Sequence, residues 1–158
     1  MDGRCTCGEV TYRLTDKPLF VHCCHCTWCQ RETGSAFAVN ALIEMACFEV
    51  EGRTVAVHTP SESGLGQIVH RCPTCHVALW SHYPGMGEDF AFVRSGTMAV
   101  PGAYPPDIHI FTESRQPWVA LDGRVPVMAQ YYRRSVQWPD WALERRQKVI
   151  DRAMARTA

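Results

Sequence analysis

Short runs of hydrophobic or alternating residues recur along the chain, each bounded by turn-forming residues. Nine such runs are rich in Val, Ile, Phe, Tyr or Thr: EVTYRL, LFVHC, FAVNALI, FEVEG, VAVHT, QIVHRC, VALWSHY, FAFVRSG and DIHIFTES. Their length and composition are typical of β-strands. The ten prolines and eleven glycines separate these runs instead of interrupting helices. The pattern therefore predicts a mainly β protein.

Two other stretches have helical character. The first is a short turn at about 27–33. The second, at about 139–156, has Pro139 near its start, acidic residues early and arginines late, which complements the helix dipole. One face of this C-terminal helix is formed by Leu143, Gln147, Ile150 and Met154, with Ala142, Val149 and Ala153 beside it. We expect that face to pack on the sheet, and a homodimer contact is the alternative.

Length and charge limit the classes of protein. The 158 residues suit a single domain, 1–158. Because Lys+Arg and Asp+Glu both number 16, we expect no nucleic-acid partner and no attraction to an anionic membrane. The chain has no run of about 18 apolar residues, and its first ten residues do not resemble a signal peptide. We therefore expect a cytoplasmic protein that does not bind membranes.

Nine cysteines are the main chemical feature of the sequence. An odd count and a reducing compartment argue against a disulfide framework, whereas C-x-C and C-x-x-C spacings are typical of metal ligation by thiolates. Seven of the cysteines form three modules, which are Cys5 with Cys7, Cys24 with Cys26 and Cys29, and Cys72 with Cys75. Cys23 and Cys47 lie outside the modules, and we interpret them as small buried residues or spare thiols.

The seven cysteines divide naturally into four and three. Cys5, Cys7, Cys72 and Cys75, here called the four-cysteine cluster, would complete a closed, structural zinc site. Cys24, Cys26 and Cys29, here called the three-cysteine cluster, would hold a second zinc and leave one position for an exchangeable ligand, as catalytic zinc sites do. The sequence leaves alternatives open: a single zinc ribbon of Cys26, Cys29, Cys72 and Cys75, a fourth ligand from His22 or His25, or iron in place of zinc.

Three segments give the sequence a family resemblance. CTCGEVTY, CHCTWCQRETGSAF and RCPTCHVAL, in that order, resemble the glutathione-dependent formaldehyde-activating enzyme family, also called the GFA or CENP-V/GFA domain. The later stretch PPDIHIFTESRQPWVALDG, which contains His109, Pro117 and Trp118, is similar to the C-terminal half of that family. The resemblance covers about residues 3–128. One departure is His76, which stands where the family usually has a glycine with positive φ.

The resemblance implies a β-tent fold of small antiparallel sheets and two zinc ions per chain. It assigns the structural zinc to the four-cysteine cluster and the catalytic zinc to the three-cysteine cluster. It also implies that Arg31, Gly34 and Ser35 border the active cleft and contact the substrate. The implied partners are a small-molecule thiol, such as glutathione, and a small aldehyde, such as formaldehyde. The implied activity is that of a carbon–sulfur lyase that forms S-hydroxymethylglutathione.

This assignment fits the chemistry of the ligands. Zinc with three thiolates carries a net negative charge, which favours binding of one more soft ligand, a thiol, over generation of hydroxide. The general acid or base stays open between Glu32, His25 and water. Two alternatives to an enzyme of this kind are a non-catalytic zinc-stabilised module that binds or carries glutathione, and redox chemistry involving Cys23. In a binding module, aromatic side chains would contact the partner, and the candidates are Trp28, Trp80 and Trp118.

Overall fold

Strands dominate the computed structural model of the chain, which describes residues 1–100 and 102–157. These ranges contain ten strands: β1 Asp2–Arg4, β2 Thr11–Leu14, β3 Phe20–Cys24, β4 Ala38–Glu44, β5 Phe48–Glu51, β6 Val55–Thr59, β7 Gln67–Arg71, β8 Ala78–His82, β9 Phe90–Arg94 and β10 Ile108–Ile110. Each of the nine predicted runs contains one strand, so the mainly β class is confirmed. The pattern does not predict β1, because its three residues, DGR, carry no hydrophobic alternation.

Helices are few in the described residues. They are α1 Thr27–Thr33, α2 Arg134–Gln137 and α3 Asp140–Thr157, with single 3-10 turns at Met45–Cys47, Ser95–Thr97 and Thr112–Ser114. Both predicted helices are confirmed, as α1 and α3, whereas α2 is additional. None of the helices in the described ranges is both long and apolar enough to cross a membrane.

The strands form two sheets. The smaller has the order β1-β2-β5, and the larger has the order β10-β3-β4-β9-β8-β7-β6. Neighbouring strands are antiparallel except for β10, which lies parallel to β3 with Ile110 opposite Cys24. This pairing brings the segment that follows β10 next to the cysteines that follow β3.

Two hydrophobic cores occupy the two faces of β4. Ala41 and Ile43 contribute to one core, which also includes Tyr12, Phe48 and Trp80 and lies against the smaller sheet. Leu42 contributes to the other core, together with buried residues of β3, β9, β10 and the C-terminal region, including Phe20, Phe90, Ile108, Trp138 and Ala142. Successive residues of a strand point to opposite faces, so β4 is buried on both sides.

The C-terminal helix packs on the core through Leu143 of the predicted face and through Ala142 and Val149, which were predicted to lie beside it, whereas other residues of that face point to solvent. Ala142 is fully buried, whereas Gln147 is exposed and the side chain of Met154 is 65% exposed. Arg145 lies on the side of the helix that faces the sheet. Its guanidinium contacts both carboxylate oxygens of the buried Glu44, at 2.8 and 2.6 Å. The helix therefore docks along the side that carries Ala142, Arg145 and the half-buried Val149.

Candidate metal centres and the adjoining cavity

The four-cysteine cluster joins the chain start to the middle of the chain. The Sγ atoms of Cys5 and Cys7 are 3.5 Å apart, and those of Cys7 and Cys72 are 3.6 Å apart. All four cysteine Sγ atoms lie within 4.8 Å of one another. A tetrahedral zinc with Zn–S bonds of about 2.3 Å requires S–S separations of about 3.8 Å, so the spacing fits this ion.

Two loops of similar construction supply these four thiols. In the first loop the N–H of Cys5 donates to the carbonyl of Val10 at 3.0 Å. In the second loop the N–H of Cys72 donates to the carbonyl of Val77 at 3.1 Å. The residue after the second cysteine has positive φ in both loops, with φ 81° at Gly8 and 59° at His76. His76 departs from the glycine that the family usually has, and the structure shows that the backbone nevertheless keeps a positive φ at this position. A backbone hydrogen bond from Cys7 lowers the pKa of the Cys75 thiol to about 6.

The three-cysteine cluster forms where β3 meets α1. Cys24 ends β3, Cys26 is the N-cap of α1, and Cys29 is the buried residue of that helix. The N–H of Cys29 donates to Cys26 Sγ at 3.4 Å. Hydrogen bonds from the thiols of Cys24 and Cys29 lower the pKa of the Cys26 thiol to about 3. The three Sγ atoms lie within 4.8 Å of one another, and no other Cys, His, Asp or Glu of the described residues joins them.

The structure decides between the alternative ligand sets. Cys72 and Cys75 gather with Cys5 and Cys7, so the single-ribbon arrangement with Cys26 and Cys29 is wrong. Neither histidine considered as a fourth ligand joins the three-cysteine cluster. His22 Nε2 lies 2.7 Å from the Tyr132 hydroxyl, and His25 Nε2 lies 3.0 Å from Nδ1 of His109.

A buried arginine lies near the three-cysteine cluster. Arg94 is 6% exposed and contacts the amide oxygen of Asn40 and, at 3.1 Å, the hydroxyl of Ser81. No carboxylate of the described residues forms an ion pair with it. A hydrogen bond with Cys24 and, more weakly, coulombic attraction to Arg94 favour the thiolate form of Cys29, but the neighbouring Cys26 and burial outweigh them and raise the pKa of the Cys29 thiol to about 12. Because buried charges require partners, thiolates in this cluster would supply the counter-charge that the carboxylates of the described residues do not give to Arg94.

A cavity of about 370 Å³ adjoins the three-cysteine cluster. All three cysteines line it, and Trp28 of α1 lines it beside them. Other walls come from strands β3, β4, β9 and β10, from the loop between β6 and β7, from the loop between β8 and β9, and from Tyr131 and Arg134 near the C-terminal helices. The four-cysteine cluster does not line this cavity. The two clusters therefore differ in the way that a closed structural site differs from a site that a small molecule can reach.

The three residues that were predicted to contact the substrate lie outside the cavity wall. Arg31, Gly34 and Ser35 are exposed, and none of them lines the cavity. Arg31 lies with its guanidinium 5.6 Å from the ring of Trp28, which does line it. Gly34 has φ 62° and ends α1 as its C-cap. The contact of these residues with substrate stays a prediction without support from the cavity lining.

Cys23 belongs to a third group of side chains, on the opposite face of β3 from Cys24. Its Sγ lies 3.5 Å from Nε2 of His25, and His109 completes the group, which has a spacing that could also hold a metal ion. Cys23 is buried, as predicted, and Cys47 is half-buried outside every cluster.

The loop that carries His25 is held by hydrogen bonds. The side chains of Gln30 and Ser114 donate to the carbonyl of His25 at 2.7 and 3.1 Å. Gln116 in turn donates to Gln30 at 2.6 Å. Glu32, a candidate general acid or base, is paired with Arg71 and does not line the cavity.

Sequence reasoning did not identify Arg94 or the aromatic cavity wall as parts of the site. In the sequence, Arg94 is visible only as a charged residue at the end of a buried strand. The aromatic residues of the wall are visible only as separate residues in different segments. The aromatics considered for partner binding have separate environments. Trp28 lines the cavity, Trp80 is buried in the core, and Trp118 is 74% exposed.

Fold and site define a mainly β protein with two cysteine clusters that could bind zinc. A family model described as glutathione-dependent formaldehyde-activating enzyme, GFA, matches residues 1–114. The chain therefore belongs to the GFA family, as the resemblance in its sequence indicated. The match includes all seven clustered cysteines, whereas the similarity from 115 to about 128 stays a prediction.

Two further comparisons add to this result. No curated protein sequence gives a significant match. A crystal structure of a Rhodobacter sphaeroides protein is similar with a TM-score of 0.50 at 19% sequence identity. The alignment covers 80% of this chain and 99% of that protein. At this identity the similarity supports the fold alone.

Proposed function

We propose that the protein is a zinc-dependent enzyme of the carbon–sulfur lyase type. It activates a thiol such as glutathione for addition to formaldehyde or another small aldehyde, as in the formation of S-hydroxymethylglutathione. The observation that carries the proposal is the position of the three-cysteine cluster in a cavity wall, where a small molecule reaches the thiols. Family membership supports the same type of reaction.

Both cysteine clusters would hold zinc in this proposal, giving two ions per chain. The four-cysteine cluster would be structural, since it joins two loops and does not line the cavity. Zinc in the three-cysteine cluster would lower the pKa of an added thiol, so that it is held as the nucleophilic thiolate. Arg94 would balance the negative charge of the cysteines.

The reaction forms one bond between sulfur and carbon. The thiol sulfur attacks the aldehyde carbon, the π bond of the carbonyl breaks, and the proton of the thiol is transferred to the aldehyde oxygen. The reverse reaction cleaves the C–S bond and returns both substrates. Around these atoms the chain supplies buried thiols on the rigid β3–α1 junction, which the hydrogen bonds of Gln30 and Ser114 hold in place.

Substitution of Cys26 by Ala or Ser tests the proposal. We expect the variant to lose about one equivalent of zinc per chain and most of its formation of the thiol adduct. Cys47→Ala is the matched control, because Cys47 lies outside every cluster, and it should retain both zinc and activity. Retention of full activity by the Cys26 variants after loss of the zinc would contradict the catalytic assignment.

A second measurement distinguishes an enzyme from a carrier. Glutathione is titrated into the zinc-loaded protein by calorimetry, and adduct formation with formaldehyde is followed separately. Binding together with faster adduct formation than in buffer supports the enzyme. Binding with no acceleration would replace it by the non-catalytic glutathione carrier.

A further inference from the structure

The cavity beside the three-cysteine cluster has an aromatic wall. Six of the side chains that line it carry rings: His22, Trp28, Tyr83, Phe92, Phe111 and Tyr131. Leu65, Met86 and Ile110 add further apolar surface. The volume of about 370 Å³ lies near the lower end of the range of small-molecule sites, about 300–1,000 Å³.

Five of these six rings, all except that of Trp28, contact one another and so form a continuous surface. Tyr83 meets Phe92 at a centroid distance of 4.8 Å, and Phe92 lies 6.0 Å from His22. His22 stacks on Tyr131 at 6.4 Å, and Tyr131 lies 6.1 Å from Phe111. Such spacings are those of interacting aromatic pairs, so a flat apolar ligand would find partners of matching shape and chemistry along this wall.

Phe111 occupies its place at a cost in backbone conformation. It has φ 55° and ψ 40°, in the left-handed region that bulky residues rarely adopt. Two hydrogen bonds hold Phe111 in this conformation. The N–H of Phe111 donates to the carbonyl of Gln130 at 3.1 Å, and the hydroxyl of Ser114 donates to the carbonyl of Phe111 at 3.1 Å. Strain of this kind concentrates at ligand sites, where the surrounding structure holds a side chain in position.

Charged groups in the lining match glutathione poorly. Glutathione carries two carboxylates, one ammonium group and two peptide bonds, each of which needs a polar partner. Arg134 and the exposed Glu62 are the charged side chains among the described residues that line the cavity. A polar group that enters an apolar cavity without a hydrogen-bond partner weakens binding, because it loses its bonds to water. The polar side chains of the lining, Asn40, Ser61, Ser63 and Gln67, could pair with the peptide bonds, but Arg134 alone faces two carboxylates, so one carboxylate of glutathione would lack a cationic partner.

We infer that the thiol for which this cavity is shaped carries an aromatic group, with its sulfur at the three-cysteine cluster and its ring against the aromatic wall. The inference rests on the proposed function and narrows its substrate class from thiols in general to arylalkyl thiols. Phe111 is then a specificity-determining residue, because it contributes a ring and no acid–base group.

Calorimetric titration of the zinc-loaded protein tests the inference with three probes: 2-phenylethanethiol, glutathione and 2-mercaptoethanol. We expect 2-phenylethanethiol to bind at least about tenfold more tightly than either of the others. Phe111→Ala should weaken binding of 2-phenylethanethiol by about fivefold or more and leave 2-mercaptoethanol unchanged.

Phe111→Gly is the second variant, since glycine adopts φ 55° without strain and keeps the fold intact if alanine does not. Val55→Ala, on an exposed position of β6 outside the cavity, is the control and should bind all three thiols as the wild type does.

The outcomes separate the two proposals. Glutathione binding as tightly as 2-phenylethanethiol, or Phe111 variants that weaken all thiols equally, would overturn the aromatic preference and leave the proposed function standing. Absence of binding by any thiol to protein of full zinc content would overturn the proposed function, and the preference with it.

Discussion

His76 shows how one residue carries the backbone strain of a loop that supplies two cysteines of the four-cysteine cluster. Its φ of 59° corresponds to the φ of 81° at Gly8 in the other loop of the four-cysteine cluster. A residue with a Cβ atom in this conformation costs about 1–2 kcal/mol, whereas glycine adopts it freely. The loop tolerates the cost because its backbone hydrogen bonds and its cysteines fix the same geometry.

We therefore expect His76→Gly to stabilise the zinc-loaded protein by about 0.5–1 kcal/mol, since the strain relieved exceeds the entropy that glycine adds to the unfolded chain. Gly8→Ala should have the opposite effect, with a loss of about 1 kcal/mol. An added Cβ at Gly8 meets only Arg4 Nη1, at 3.7 Å, so its cost comes from the backbone alone. Thermal unfolding measures both. Equal destabilisation by the two substitutions would show that the His76 side chain itself stabilises the loop.

Arg94 carries a different kind of cost, that of a buried charge. It is bonded to the neutral groups of Asn40 and Ser81. We therefore expect the counter-charge of Arg94 to come from the neighbouring cysteines, which must be thiolates if they are metal ligands.

Arg94→Met should weaken zinc retention in the three-cysteine cluster by about 10–100-fold, because substitutions next to metal ligands have effects of this size. Arg94→Lys keeps the charge and should recover part of the loss. Competition with a chelator, together with zinc counts per chain, measures the effect. If the Met variant retains zinc as the wild type does, Arg94 is not the counter-charge of the cluster.

At the scale of the element, strand β3 explains the crowded motif HCCHC. Alternate residues of a strand face opposite sides, so His22 and Cys24 line the cavity while Cys23 faces His25 and His109. Adjacent cysteines thus belong to different clusters. The irregular spacing of the motif reflects the end of the strand and the start of α1, where Cys26 caps the helix.

A largely buried ion pair joins helix α3 to strand β4, in addition to the apolar contacts of the helix. Arg145 and Glu44 are both largely buried, with side chains 19% and 8% exposed. Because removal of one partner leaves the other charge buried, Arg145→Met should destabilise the protein by about 3 kcal/mol. Arg156→Ala, on the same helix, breaks an exposed pair with Asp89 and should cost less than about 1 kcal/mol.

Chemical denaturation compares these two variants. Similar small losses in both would mean that the contact between α3 and the sheet depends on Trp138 and Ala142, not on the ion pair. A large loss confined to the Arg145 variant supports the orientation described above.

At the scale of the whole molecule, the four-cysteine cluster connects segments that are far apart in sequence, with Cys7 and Cys72 in contact. Metal at this site would stabilise the fold directly, whereas metal in the three-cysteine cluster would serve the cavity. The two clusters should therefore respond differently to substitution.

We expect two zinc equivalents per chain in metal analysis of the wild type. Cys72→Ser should lower the melting temperature strongly, by more than 10 °C, since a disrupted structural zinc site costs several kcal/mol. Cys26→Ser should lose one zinc with a smaller decrease. One zinc equivalent in the wild type, or equal melting temperatures for the two variants, would contradict this division of roles.

The sequence by itself determined the strands, both main helices and the cysteine modules, because alternation, turn residues and ligand spacing are local properties of the chain. The sequence marked His76 as a departure at a position that favours glycine, and the structure then showed that its φ is positive. The division of the cysteines into four and three was the interpretation preferred from spacing, and the structure brings the same sets together.

Only the tertiary structure decided which distant side chains surround the three-cysteine cluster. Arg94 lies on β9, two strands away from β3 in the sheet order, and Phe111 and Tyr131 reach the cavity because β10 pairs with β3. The face on which α3 docks depended on Glu44, about a hundred residues earlier in the chain. Packing, burial and long-range pairing arise from contacts between segments, and the local pattern of one segment does not contain them.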